Sequence, residues 1–427
     1  MAREMKDSGI EWMGKIPVEW NLCKQKYLIS LINGRAYSDT EFEIDGKYKI
    51  LRVGNLFSNP QWYTSSLELD PEKYCVDGDL LYAWSMSYAP VIWHGEKVIY
   101  HYHIWKTVLS SRIEKKFAYY YFLVLTDALM AEKHETTMSF VTMGVMNNSY
   151  IAYPDKYEQK MISDYLNRKS SIIDSLLLQT RASIEEYKKL KQAVITQAVT
   201  KGIRPDRPMK DSGIEWVGEI PDDWTVQRIK NVAQINGRIG FRGYTTDDLV
   251  DEGEGAITLS PSNICELKIV YDKCSYISWD KYEESPEIQI ENGDIIFVKT
   301  GSSYGKSGLV SNLPLRATIN PQLVVFKNIV VNNRFFLYAL QTPSIRNEIE
   351  GIVSGGTIPT MGQEKMKNFH LCVPGNKEQL EIADYLDCRC VEFDRIIALK
   401  ESIIKELEKM KKSLIYEYVT GKKEVPI

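Results

Sequence analysis

No apolar run in this sequence approaches the length needed to cross a bilayer. Met1-Ala2-Arg3-Glu4 leads straight into polar residues, so no secretory leader is expected. Cysteine is scarce, with seven in 427 residues. An odd, thinly spread set argues against a disulfide framework and makes a reducing cytoplasm the expected compartment. An excess of one charge is also missing: the net charge is −4 and the pI about 5.9. That excludes a uniformly basic nucleic-acid coat but leaves room for a local basic groove. Proline is absent from 158–199 and from 382–414, so neither stretch carries a helix breaker. Composition is otherwise that of ordinary globular protein, 44% hydrophobic and 26% charged. The length exceeds what one core usually supports, so two to four domains are expected.

The dominant positive feature is an internal repeat. Residues 5–20 read MKDSGIEWMGKIPVEW and residues 209–224 read MKDSGIEWVGEIPDDW, identical at 12 of 16 positions at an offset of 204. The offset then creeps upward. Asp77-Gly78-Asp79-Leu80-Leu81 answers Asn292-Gly293-Asp294-Ile295-Ile296 at 215, and Thr142-Met143-Gly144 answers Thr360-Met361-Gly362 at 218. Glu158-Gln159 with Asp164-Tyr165-Leu166 answers Glu378-Gln379 with Asp384-Tyr385-Leu386 at 220. Small insertions in an otherwise collinear second copy explain the drift. The copies agree at their starts and tails and diverge between. Neutral drift would spare buried positions rather than ends, so the pattern fits two copies that hold one position and bind different things.

The bodies, about 20–155 and 225–374, alternate short apolar runs with Gly, Asn, Asp and Pro, as in an α+β globule. Strands are expected at Tyr48–Val53, Leu80–Trp84 and Ile295–Lys299, and helices at Lys116–Met130 and Arg334–Leu340. The tails differ. Apolar residues recur at helical spacing from Ile162 to Ala198 and from Ile382 to Leu414, including Ile172, Leu176, Leu190, Ile403 and Met410. Two related stripes in one chain predict an antiparallel coiled coil with two similar globules held apart by it. The expected segments are 1–155, a globule; 156–204, a helix and linker; 205–374, a second such globule; and 375–427, a last helix. Paired readers at fixed separation suit duplex DNA, whose half-sites repeat by the helical turn.

Several motifs invite enzymatic readings and fall short of them. Thr300-Gly301-Ser302-Ser303-Tyr304-Gly305-Lys306-Ser307 is one residue short of a phosphate loop and is not followed by a helix start. Its counterpart, Ser85-Met86-Ser87-Tyr88-Ala89-Pro90, has neither Gly nor Lys, so a polar loop near nucleic acid suits both copies better. Asn59-Pro60-Gln61-Trp62 and Asn320-Pro321-Gln322-Leu323 lack the second proline of amino-methyltransferases and any preceding Gly-rich cofactor loop; turns or strand entries are expected. His94, His101 and His103 lack a further ligand at suitable spacing and read as packing or groove residues. Cys388 and Cys390 would point to different faces of a helix.

Candidate DNA contacts are therefore polar and basic loop residues, since Arg and Asn make bidentate base contacts while Lys, Ser and Thr mostly secure phosphates. In the first copy they are Arg35, Arg52, Asn55, Ser85, Ser87, Tyr88, Thr137, Ser139 and Thr142. In the second they are Arg238, Arg242, Ser262, Asn263, Ser302, Ser303, Tyr304, Lys306, Thr357 and Thr360. No catalytic residue or metal ligand is assigned.

On these marks the chain resembles the specificity subunits of Type I restriction–modification systems over essentially all its length. The residues carrying the resemblance are Ser8–Trp12, Ile16-Pro17 and Trp20, their repeats at Ser212–Trp216, Ile220-Pro221 and Trp224, the two Gly-Asp-Leu/Ile runs, and the Glu-Gln helix starts. The resemblance implies a non-catalytic, DNA-binding subunit with two target-recognition domains. Each would read half of a bipartite, asymmetric site, and the helices would set the spacer. It further implies two modification subunits that carry S-adenosylmethionine and methylate adenine, and restriction subunits that use ATP and Mg. No cofactor is expected in this chain, and no membrane partner. The departure is at Ser85–Pro90, which lacks the Gly-Lys loop of the second copy.

Overall fold

The computed structural model describes residues 3–85, 87–132, 141–215, 217–238, 240–342, 345 and 362–426. The chain divides into two compact units, Met1–Arg181 with Ser402–Ile427, and Ala182–Glu401. Each long helix contributes to both units, and the carboxyl-terminal residues belong to the first.

In the first unit, one sheet orders Ile29–Asn33, Ile104–Leu109, Leu80–Ala83 and Ala89–Ile92, all antiparallel. A second orders Tyr63–Ser65, Tyr48–Leu51, Val98–Tyr100 and Tyr74–Cys75, with a parallel pair at its centre. Helix α1 (Lys115–Glu132) buries Phe117, Tyr121, Phe122 and Leu125 in the first unit's core. Short α2 (Met143–Asn148) leads into Tyr150–Tyr153, and then α3 (Lys156–Lys201) begins.

The second unit repeats this plan. Its larger sheet starts at the edge strand Gln234–Asn236 and continues through Leu323–Lys327, Ile295–Val298 and Ser307–Leu309. A smaller sheet again contains one parallel pair, Gly255–Leu259 with Ala317–Ile319, here at the sheet's edge rather than its centre. Helices α4 (Asn333–Ala339), α5 (Gln363–Met366) and α6 (Asn376–Val419) correspond to α1, α2 and α3. The expected strands and helices are present, with ends shifted by a residue or two. Tyr48–Val53 is the exception, because the strand stops at Leu51 and Val53 opens a short helix.

Helices α3 and α6 run antiparallel within each unit. In the first, Asp174 meets Lys411 at 2.6 Å and Arg181 meets Glu408 at 2.7 Å, so numbers rise on one helix as they fall on the other. In the second, Lys191 meets Asp394 at 2.6 Å while Lys400 lies over the Tyr187 ring. Ile162, Leu166, Ile173, Leu177, Ile382, Leu386 and Phe393 are buried, but Ile172, Leu176, Leu190, Ile403 and Met410 stay exposed. The apolar stripe is wider than intrachain packing covers.

The repeated ends have a common physical task. Asp7 and Ser8 hold a turn by accepting from Gly9 and Ile10 N–H, and Asp211 and Ser212 do the same for Gly213 and Ile214. That turn closes a hairpin whose Trp20 or Trp224 is fully buried. The Trp20 indole donates to Glu158 at 3.3 Å, and the Trp224 indole to Glu378 at 3.1 Å. Each glutamate also takes a bidentate arginine, Arg3 for Glu158 and Arg207 for Glu378. The next residue ties the helix start to the late body helix: Gln159 accepts from Glu114 N–H and Gln379 from Asn332 N–H. Their amides donate to Pro154 and Pro374 carbonyls. Hairpin, long helix and body are thus pinned at one dipeptide in each unit.

The Gly-Asp-Leu/Ile repeats form a second pin. Asp79 pairs with Lys106 at 2.9 Å and Asp294 with Lys327 at 2.8 Å. Each lysine also donates to a backbone carbonyl, Tyr74 or Gln289.

Breaking one side of a buried ion pair costs about 3–5 kcal/mol. Glu378 is the more buried of the two glutamates, with a side chain 7% exposed against 28% for Glu158. Denaturant unfolding should therefore show a larger loss for Glu378→Ala, about 3 kcal/mol, than for Glu158→Ala. Equal, near-zero effects would contradict the pin.

Candidate nucleic-acid interface

Both sheets of the first unit end at one cluster of side chains. Gly34 and Arg35 leave the edge strand, Arg52 leaves Tyr48–Leu51, Trp84 leaves Leu80–Ala83, and His101, Tyr102 and His103 link the two sheets. The backbone is tightly laced there: His101 N–H donates to Leu51 O at 2.9 Å and Trp84 N–H to His103 O at 3.1 Å. A Cβ on Gly34 would sit 2.3 Å from Tyr100 O, so glycine is required by close backbone approach. The rings of Trp84, His101, Tyr102 and His103 pack together with centroids 4.0–6.1 Å apart. Burial, and then the neighbouring His103, lower the His101 pKa to about 4; burial and Arg52 lower that of His103. At neutral pH both rings are uncharged, able to donate, accept and stack.

The second unit has the same lacing with other side chains. Asn320 N–H donates to Leu259 O at 2.9 Å, and Lys299 N–H to Gln322 O at 2.9 Å. By these bonds Asn320 stands where His101 stands, Gln322 where His103 stands, Lys299 where Trp84 stands and Ser260 where Arg52 stands. A shared corner supports the equivalence: Arg52 N–H donates to Asn55 Oδ1 at 3.1 Å, and Ser260 N–H to Asn263 Oδ1 at 2.9 Å. Lys299 is half-buried, and burial lowers its pKa. The loop Thr300–Lys306 turns on Gly301 and Gly305, both at positive φ, and runs into strand Ser307–Leu309. It is a hairpin connection rather than a phosphate loop.

The candidate residues fall into distinct groups. Arg52, Ser87, Ser262, Ser302 and Lys306 lie beside these strand ends; Arg52, Ser87 and Ser302 are among the more accessible, with Ser85, Tyr88 and Tyr304 half-buried. Arg52 lies over the Tyr63 ring, and Arg242 pairs with Glu287 at 3.4 Å. Ser303 sits in the same loop as Tyr304, whose N–H donates to Gly301 O at 3.1 Å. Thr142 caps α2 by accepting from Val145 N–H. Four others serve the frame. Asn55 donates to Asn59 and Gln61 carbonyls, and Asn263, 3% exposed, to Val270 and Lys273 carbonyls, so their amides are spent. Arg35 is paired with Glu41. Arg238, 4% exposed, donates to Ile319 O, Arg242 O and Thr318 Oγ1. Both arginines close an Ile-Asn-Gly-Arg run present in each copy, at 32–35 and 235–238. Thr137, Ser139, Thr357 and Thr360 lie outside the described residues.

Residue type in the loops did not single out Trp84, His101, Tyr102 and His103 as a cluster, nor Lys299, Asn320 and Gln322. Sequence spacing alone does not bring the ends of these strands together. The two Asn-Pro-Gln turns, each closed by an Asn side chain accepting from Gln N–H, occupy non-equivalent places. Cys388 is exposed and Cys390 buried, on different faces of α6. Among the described residues no cluster of metal-binding side chains occurs, and no helix is long and apolar enough to cross a membrane.

Comparison with known proteins agrees with this architecture. The chain is 24% identical over 416 residues to the Type I restriction enzyme MjaVIII specificity subunit of Methanocaldococcus jannaschii, covering 96% of this chain and 94% of that one. It is 22% identical to the Type I restriction enzyme EcoBI specificity subunit of Escherichia coli, covering 95% and 85%. A chain from a solved structure on assembly of a type I restriction–modification system matches the fold with a TM-score of 0.69 at 14% identity, covering 95% and 98%. The model of the Type I restriction modification DNA specificity domain matches twice, at residues 17–186 and 221–409. The two matches coincide with the two copies of the repeat, and the chain belongs to the family of Type I restriction–modification specificity subunits.

Proposed function

We propose that the first unit reads one half of a bipartite, asymmetric DNA site and the second unit reads the other. The observation that carries this is the matching backbone lacing under different side chains: Arg52, Trp84, His101 and His103 in one unit, Ser260, Lys299, Asn320 and Gln322 in the other. A frame that fixes strand ends while their side chains change is suited to presenting different donor and acceptor sets to base edges. Asn and Gln are matched to adenine, and uncharged His can donate or accept. Lys299, already partly desolvated, loses little further hydration on meeting a base oxygen or a phosphate.

The chain acts without catalytic groups of its own. Two modification subunits holding S-adenosylmethionine dock on the repeated hairpins and on α3 and α6, whose exposed apolar residues suit such a partner. The two helices set the number of unread bases between half-sites. Restriction subunits using ATP and Mg join that core.

Mapping N6-methyladenine in DNA exposed to the chain plus its methyltransferase should yield a two-part motif. Methylation by the purified chain alone would refute the non-catalytic reading. Asn320→Ala with Gln322→Ala should relax one half of the motif, at about 1–3 kcal/mol of discrimination for each base pair no longer read. His101→Ala with His103→Ala should relax only the other half. A change in both halves from either pair would count against two independent readers.

A further inference from the structure

A second pair of surface features is kept in both copies, away from the reading ends. Strand Asn21–Lys24 pairs with Tyr150–Tyr153, and Thr225–Arg228 with His370–Val373. Between Trp20 and Leu28, and between Trp224 and Val232, the copies differ at most positions. Leu28 and Val232 remain apolar because they are buried, 2% and 0% exposed. Lys24 and Arg228 remain cations, and Lys26 and Lys230 remain lysine, although Lys26, Arg228 and Lys230 are exposed and Lys24 half-buried. Burial therefore does not account for them.

Intrachain pairing does not account for them either. Lys24 Nζ reaches Asn148 Oδ1 at 3.4 Å, and Arg228 Nη1 reaches Asn368 Oδ1 at 3.4 Å. These are long bonds to neutral groups, again alike in both copies. Each asparagine is held in place by donating back into its short helix, to Gly144 O at 2.9 Å or Glu364 O at 3.1 Å. None of the four cations has a carboxylate partner among the described residues. In the second unit an open groove of about 470 Å³ follows the edge strand Gln234–Asn236. Lys230 and Lys367 flank it, and Gln234, Asn236 and Asn328 line it.

We propose that Lys24 with Lys26, and Arg228 with Lys230, are contacts for the DNA phosphate backbone, one set in each module and indifferent to sequence. This rests on the DNA-reading function above. Lysine, arginine and carboxamides are the groups that bind phosphates, whereas the cores of protein interfaces are enriched in aromatic side chains and depleted in lysine. Retention in both copies fits this role. Readers of different half-sites must diverge, but the backbone each module meets is the same polymer. In the second unit the groove along the edge strand extends from Lys230 to Asn236, beside the strand end that carries Arg238.

The test uses the full chain assembled with its methyltransferase. DNA affinity is measured against salt for Lys24→Ala/Lys26→Ala, for Arg228→Ala/Lys230→Ala and for the four combined. Removing one phosphate-binding cation should lower the slope of log affinity against log salt by about 0.9, with the methylated motif unchanged. Arg228→Lys should keep the slope. Lys26→Ala/Lys230→Ala alone, which leaves both asparagine contacts intact, should lower it by about half the combined effect. Unchanged slope and affinity in all variants would overturn the proposal, as would release of the methyltransferase with DNA affinity unaltered. A wild-type assembly that bound no DNA would instead remove the function on which the proposal rests.

Discussion

In each unit the repeated hairpin, the late body helix and the long helix converge on a carboxylate and a carboxamide at the start of that long helix. Glu158 and Glu378 collect a buried indole and an arginine, while Gln159 and Gln379 collect the amide that opens the late body helix. A carboxylate drawn out of water, as Glu378 is and Glu158 is in part, is tolerated when paired, and here the partners are the hairpin's tryptophan and the arginine just ahead of it. The constraint is geometric as well as energetic. Bidentate arginine and a fixed indole donor leave little freedom in how the hairpin meets the helix. This explains why the ends of the modules resist change although much of their surface is exposed.

Beyond the pins, the same strategy separates frame from reader. Arg238, Asn55 and Asn263, and the Asp–Lys pairs spend their polar groups on the protein itself, and Arg35 is tied to Glu41 through one guanidinium nitrogen. The side chains standing at strand ends between them are those that differ. At these strand ends Ser260, Lys299, Asn320 and Gln322 replace Arg52, Trp84, His101 and His103 while the backbone bonds beneath them stay the same. Trp84 and Lys299 illustrate it: their backbone bonds match, while one adds an aromatic face and the other a half-buried cation.

Much of this was legible in the sequence, because the repeat marks the residues that pin the frame. The long helices followed from period and absence of proline, and the paired Glu-Gln starts were visible as identities. Their partners were not, since Arg3 and Glu158 lie 155 residues apart and nothing local announces the contact. The readers were harder still. Residue type favoured Asn55, Asn263 and Arg238, yet a polar side chain near a turn can satisfy backbone as readily as a ligand. The His101–His103 cluster depends on two sheets meeting, a tertiary fact that strand periodicity does not contain. The Ile-Asn-Gly-Arg run was available as a signal; recognising it as a shared element marks Arg35 and Arg238 as frame.

Two separate readers on a common frame should be exchangeable one at a time. The most direct measurement replaces residues 20–155 with the corresponding body of another family member and maps methylated adenines genome-wide. One half of the motif should change while the other half and the spacing between them persist. A change in both halves, or in neither, would contradict the claim.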